Sequence, residues 1–103
     1  MLKPEQSRMA RAALDWSLSE LQKMTGINKN TIVRFEAGKG ILFSTAERLE
    51  RAFAKEGVTF IYENEARGAG IQLSRELSTR LAAERDPIPK RKSTKRSQKS
   101  PRK

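Results

Sequence analysis

Between Ser17 and Gly40 the sequence sets two helix starts and two helix stops so close together that only two short helices fit. Ser17-Leu18-Ser19-Glu20 is a capping box, in which the Ser17 hydroxyl and the Glu20 carboxylate satisfy backbone donors at the helix start. The helix it opens carries Leu18, Leu21 and Met24 and ends at Gly26. A glycine is needed there because the chain leaves the helix in a conformation disfavoured for residues with a Cβ. Asn28 is a good N-cap for the next segment, Lys29 to Ala37, whose apolar positions Ile32 and Phe35 are three apart. Gly38 and Gly40 stop it. Ile27 is expected to insert under the turn, with Leu21, Ile32 and Phe35 fixing the crossing of the two helices. That arrangement leaves Lys29, Asn30, Val33 and Arg34 on the outward face of the second helix.

The flanking segments supply the rest of a small bundle. Pro4 suits the first turn of a helix with Glu5 at its positive end, and Met9, Ala10, Ala13 and Leu14 form its apolar stripe. Lys3 is a poor N-cap. Ser44-Thr45-Ala46-Glu47 reads as a second capping box, opening a helix with Ala46, Leu49, Ala52 and Phe53 on one face and Gly57 as its C′ residue. Phe35, Phe43, Phe53 and Phe60 are expected to be packing residues, and Trp16 reads as core in preference to a base-stacking platform. After Gly57 the period changes. Val58-Thr59-Phe60-Ile61-Tyr62 is β-branched and aromatic, a strand; Glu63 to Gly70 is a polar loop; Ile71-Gln72-Leu73 alternates like a short return strand. Leu73, Leu77 and Leu81 also fit one helix face, so residues 74–86 stay open between a linker and a short helix.

Composition narrows the chemistry. The 103 residues include no Cys and no His, which excludes disulfides, thiol nucleophiles, imidazole bases and the common zinc sites. Glu47, Glu50, Glu63 and Glu65 are the clustered acids, and the first two alternate with Arg48 and Arg51 as in a solvated helix network. Phosphate-loop, nucleophile–base and metal-ligand spacings are missing, so neither catalysis nor a metal or other cofactor is expected. Apolar runs such as Ile41-Leu42-Phe43 are far too short for a membrane span, and the N-terminal segment lacks an apolar signal core. The sequence therefore reads as a soluble cytoplasmic protein.

The net charge of +10 points to a polyanionic partner, but it is unevenly spread. Residues 87–103 hold eight of the 22 Lys and Arg and no acid, leaving 14 basic against 12 acidic groups in residues 1–86. The Pro-, Ser- and Lys-rich segment 87–103 cannot bury enough surface to offset ordering entropy and is expected to be disordered. It reads as an electrostatic arm for nucleic acid, with a solubilising extension or a partner-binding segment as the alternatives.

The run Trp16-Ser17-Leu18-Ser19-Glu20-Leu21, then Gly26-Ile27-Asn28, then Thr31-Ile32-Val33-Arg34-Phe35-Glu36-Ala37-Gly38, resembles the Cro/repressor-type (XRE) helix-turn-helix family. The resemblance extends from about Glu5 to Val58 and is most specific between Leu21 and Gly38. It implies a mainly α, lambda-repressor-like helix-turn-helix bundle of about four helices, here at residues 5–57 with the motif at 17–37. A β-strand or hairpin extension at 58–73 and the basic tail would follow. The family binds operator DNA, usually as a dimer, with the second motif helix in the major groove. Matched position by position, Lys29, Asn30 and Arg34 fall on its base-edge readers, and Ser17, Asn28 and Thr31 on phosphate-contacting positions. Lys39 stands in the following loop for the DNA backbone. Arg11 and Glu36 match an ion pair that braces the recognition helix; the alternative is an ordinary surface pair. Two residues depart from the pattern. Gln22 stands where the family usually has a small residue, and its amide is expected to snorkel outward and open the crossing slightly. Leu18 stands where members often carry a Gln that reaches phosphate.

These features imply a sequence-specific, double-stranded-DNA-binding transcriptional regulator, a repressor in a prokaryotic cytoplasm, associated with the nucleoid when bound. In antitoxin-type members a C-terminal strand pairs across a dimer axis, and Val58–Tyr62, with few partners foreseen in its own chain, suggests a homodimer by the same route. The alternatives are an antitoxin-like module that binds a toxin-like protein through its strand or tail, and a nonspecific nucleic-acid binder.

Overall fold

The computed structural model describes residues 1–84; residues 85–103, which include the segment read as a disordered tail, lie outside the described part. Four helices come first: α1 (Pro4–Leu14), α2 (Leu18–Thr25), α3 (Lys29–Glu36) and α4 (Phe43–Lys55). A hairpin of β1 (Val58–Ile61) and β2 (Gly70–Leu73) and a last helix, α5 (Arg75–Glu84), complete the order. The fold is mainly helical with a small antiparallel sheet, as the sequence patterns require. No described helix is long and apolar enough to cross a membrane.

One core joins all of these elements. Ala10 and Leu14 of α1, Leu21 of α2, Ile32 and Phe35 of α3, and Leu49 and Phe53 of α4 are buried together with Ile27 of the turn. Val58 from β1 and Leu77 from α5 enter the same cluster, as does Leu2 ahead of the first helix. Trp16 stacks on Phe53 with ring centroids 5.8 Å apart, and Phe60 meets Phe53 in an edge-to-face arrangement at 5.9 Å. Trp16 is therefore a packing residue.

Two apolar positions depart from the expected stripes. Phe43 is 63% exposed, and Met24 also points largely to solvent. The reason for Phe43 lies in how α4 begins. The helix starts one residue ahead of Ser44, at Phe43, with Leu42 at the N-cap and no side-chain cap. Ser44 thus sits inside the first turn, and the Ser44–Glu47 box is not formed. The turn that would have carried Phe43 inward as a linker residue instead makes it the first, outward residue of the helix.

The hairpin and α5 settle the region left open in the sequence. β1 pairs antiparallel with β2 in the register Val58↔Leu73 to Ile61↔Gly70, so the strand has a partner in its own chain along one edge. Asn64 Oδ1 accepts from the Ala66 and Arg67 N–H groups and tightens the connecting loop. Gly57 turns the chain out of α4 with φ +105°, and a Cβ there would stand 2.6 Å from Ser74 Oγ. Ser74 is close because its N–H donates to the Gly57 carbonyl. Its Oγ accepts from the Leu77 N–H at 3.0 Å and starts α5, which decides residues 75–84 as helix. Gln6, fully buried, donates from Nε2 to the carbonyls of Ile61 and Gly70 and so fastens α1 to the loop end of the hairpin.

Candidate nucleic-acid interface

The two motif helices meet through side chains that the sequence marks out. Leu21, Ile27, Ile32 and Phe35 are all buried at the crossing. The turn between the helices is closed by its own hydrogen bonds. Thr25 Oγ1 donates to the Leu21 carbonyl at 2.7 Å and accepts from the Ile27 N–H at 3.1 Å. Gly26 takes φ +76°, a left-handed conformation in which a Cβ is strained. Arg48 of α4 reaches over this turn and donates to the Thr25 carbonyl at 2.7 Å.

Both helix starts are capped. Ser17 Oγ accepts from the Glu20 N–H at 3.0 Å, and Glu20 Oε1 accepts from the Ser17 N–H at 3.1 Å, completing the expected box. At the start of α3, Asn28 Oδ1 accepts from the Asn30 N–H at 2.8 Å. Gln22 adds a second cap: its Oε1 accepts from the Lys29 N–H at 2.5 Å. Gln22 is exposed, as a glutamine that turns its amide outward would be, and it spends that amide oxygen on the start of α3. A small residue leaves that N–H to another partner, whereas the glutamine reaches across from α2 and satisfies it. Leu18, the other departure, packs against the core.

Lys29, Asn30 and Arg34 are all exposed on α3, and Lys29 Nζ lies 3.3 Å from Ser19 Oγ. Thr31 is partly exposed beside them. The helix ends in a Schellman arrangement, with Gly38 N–H donating to the Phe35 carbonyl and Lys39 N–H to the Arg34 carbonyl. Gly38 has φ +92°, and Lys39 leaves the end of the helix exposed.

Behind this surface, α1 grips the last residue of α3. Arg11 makes a two-point ion pair with Glu36, Nη2 to Oε1 at 2.7 Å and Nε to Oε2 at 3.0 Å. Its Nη1 also donates to the Trp16 carbonyl. Glu36 is buried, and Ser7 Oγ donates to its Oε2 at 2.6 Å, while Arg8 donates to its backbone carbonyl. The hydrogen bonds from Arg11 to Glu36 raise the Arg11 pKa above its ordinary value; partial burial opposes this, and the Glu36 charge adds to it. Arg11 and Glu36 were paired by the family resemblance. Ser7 and Arg8 were missed, although Ser7 stands four residues before Arg11 and so on the same face of α1.

α3 is thus capped at its start, held at its far end by α1, buried on its apolar side and bare on its polar side. The helix-turn-helix family model, of the XRE type, matches residues 8–59, just over half of the chain. The chain belongs to the XRE-type helix-turn-helix family. The match runs from α1 through α4 into β1 and contains every residue of the interface described above except Ser7. This helix-turn-helix protein is accordingly a DNA-binding regulator. No curated protein matches its sequence.

Proposed function

We propose that the protein is a sequence-specific transcriptional repressor that reads the major groove with α3. The observation that carries this reading is the division of α3 into two faces. Ile32, Phe35 and Glu36 are buried and held, while Lys29, Asn30 and Arg34 are exposed to solvent. Lys29 and Arg34 have donors for guanine O6 and N7, and Asn30 can pair with adenine N6 and N7. Ser17, Asn28, Thr31 and Lys39 surround them and would fix register on phosphates. The Asn28 side chain spends its oxygen on the helix cap and keeps its amide N–H groups for a phosphate. Arg11 and Glu36 hold the end of the helix and touch no DNA. Repression would follow from occupying an operator in a prokaryotic cell and excluding polymerase.

The hairpin supports a homodimer. Among the described residues β1 is paired on one edge only. A groove of about 410 Å³ lies between β1 and α4, lined by Glu47, Glu50, Arg51, Ala54, Val58, Thr59, Phe60 and Tyr62, beside that singly paired strand. A second copy pairing there would set two recognition helices on one duplex, about 34 Å apart for half-sites one turn apart. The same edge supports a second reading, an antitoxin-like protein whose hairpin takes a toxin-like partner.

The test is selection of bound sequences from random DNA with the full chain at physiological salt, followed by sedimentation of the protein alone and on its site. A pseudo-palindrome bound by two copies is the expected result. A motif bound by one copy removes the dimer, and the absence of any enriched motif removes sequence-specific repression in favour of the partner-binding reading.

A further inference from the structure

The outward face of α3 is polar except at one position. Val33 is 41% exposed, stands three residues after Asn30 and one before Arg34, and lies outside the core that takes Ile32 and Phe35 from the same helix. A β-branched side chain is stiff and a poorer helix former than Lys, Gln or Glu, and one lying outside the core and 41% exposed gains little by burial in return. Neither packing nor helix propensity accounts for a valine here.

We propose that Val33 reads the C5 methyl group of a thymine, so that the operator carries a thymine next to the bases met by Asn30 and Arg34. The proposal rests on the reading of α3 as the major-groove helix. Within that groove thymine alone of the four bases presents an apolar group; guanine presents N7 and O6 acceptors and cytosine an N4 donor. The branched end of Val33 covers a methyl without leaving a polar atom unpaired. Against the exposed edges of guanine or cytosine it would exclude water and offer no hydrogen bond in return, so it selects by attraction and by rejection together. Its polar neighbours set the angle of approach, because Asn30 and Arg34 are the groups able to anchor to base edges on either side of it.

The experiment uses the full chain and the operator found by selection, with each thymine replaced in turn by deoxyuridine, which deletes the methyl and leaves the hydrogen-bonding edge unchanged. One replacement is expected to weaken binding by the native protein about fourfold, the factor for one buried methyl-sized group. Val33→Ala should lose a similar factor on the thymine operator and be indifferent to that replacement. 5-Methylcytosine should in turn be preferred over cytosine at that position by the native protein alone. Val33→Ala removes an exposed side chain in favour of a better helix former, so its thermal unfolding should be unchanged or slightly raised. The proposal is overturned if no uracil replacement matters, or if the loss persists in Val33→Ala; in either case the selected motif still stands and α3 remains the reader. Failure to select any motif overturns both.

Discussion

Glu36 gathers donors from three residues of α1: Ser7 and Arg11 on its carboxylate, Arg8 on its carbonyl. Removing one side of such a pair leaves the other charge half-buried without a partner, which costs more than the pair itself contributes. Glu36→Ala is therefore expected to lower stability by about 3 kcal/mol in urea unfolding. Ser7→Ala, which removes one hydrogen bond to a charged acceptor, should cost about 1.5 kcal/mol. Because the Arg11 pKa is raised in the folded state, its share of stability is complete below the ordinary guanidinium range and lost only as pH climbs through the raised value. Unfolding followed between pH 6 and 9 should then show no slope arising from Arg11. The pairing of Arg11 with Glu36 was legible only through the family pattern, since 25 residues separate them. Ser7 carried no such mark, and a serine inside a helix ordinarily faces water.

At the scale of elements, the α2–turn–α3 unit was the most legible part of the chain because its rules are local. A capping box, a left-handed glycine and an asparagine cap each act within four residues of themselves. Gly26→Ala should destabilise by about 1–2 kcal/mol, since φ +76° is unfavourable to a Cβ and Arg48 Nη2 would stand 3.3 Å from it. Gln22 was less legible because its partner belongs to the next helix. Gln22→Ala should remove the cap at Lys29 and cost about 1 kcal/mol, seen as earlier thermal fraying of α3 by circular dichroism or NMR. Phe43 and Ser44 show the limit of pattern reading from the other side. Both match a rule, a stripe and a box, yet the N-cap falls at Leu42, two residues ahead of Ser44, and neither is satisfied. α5 was undecided for a related reason: Leu73, Leu77 and Leu81 fit a strand-to-linker path and a helix alike until Ser74 is seen to cap it.

Over the whole molecule, charge and shape are separated. Residues 1–86 are nearly balanced, and residues 87–103 carry eight positive charges without an acid. Deleting residues 87–103 should leave the selected DNA motif unchanged while flattening the salt dependence of binding, by a log–log slope of up to about 7 if all eight charges met phosphate. Binding titrations on specific and scrambled duplexes at several salt concentrations measure both effects at once. The folded part has its own long-range link. Gln6 and Ser7 are consecutive residues of α1, one fastened to the loop end of the hairpin and the other to the last residue of α3. Neither end can release without disturbing the same turn of helix. Amide protons in the hairpin and at the end of α3 should thus exchange with deuterium through a shared opening, and a partner seated on the hairpin would slow exchange in α3 without touching it.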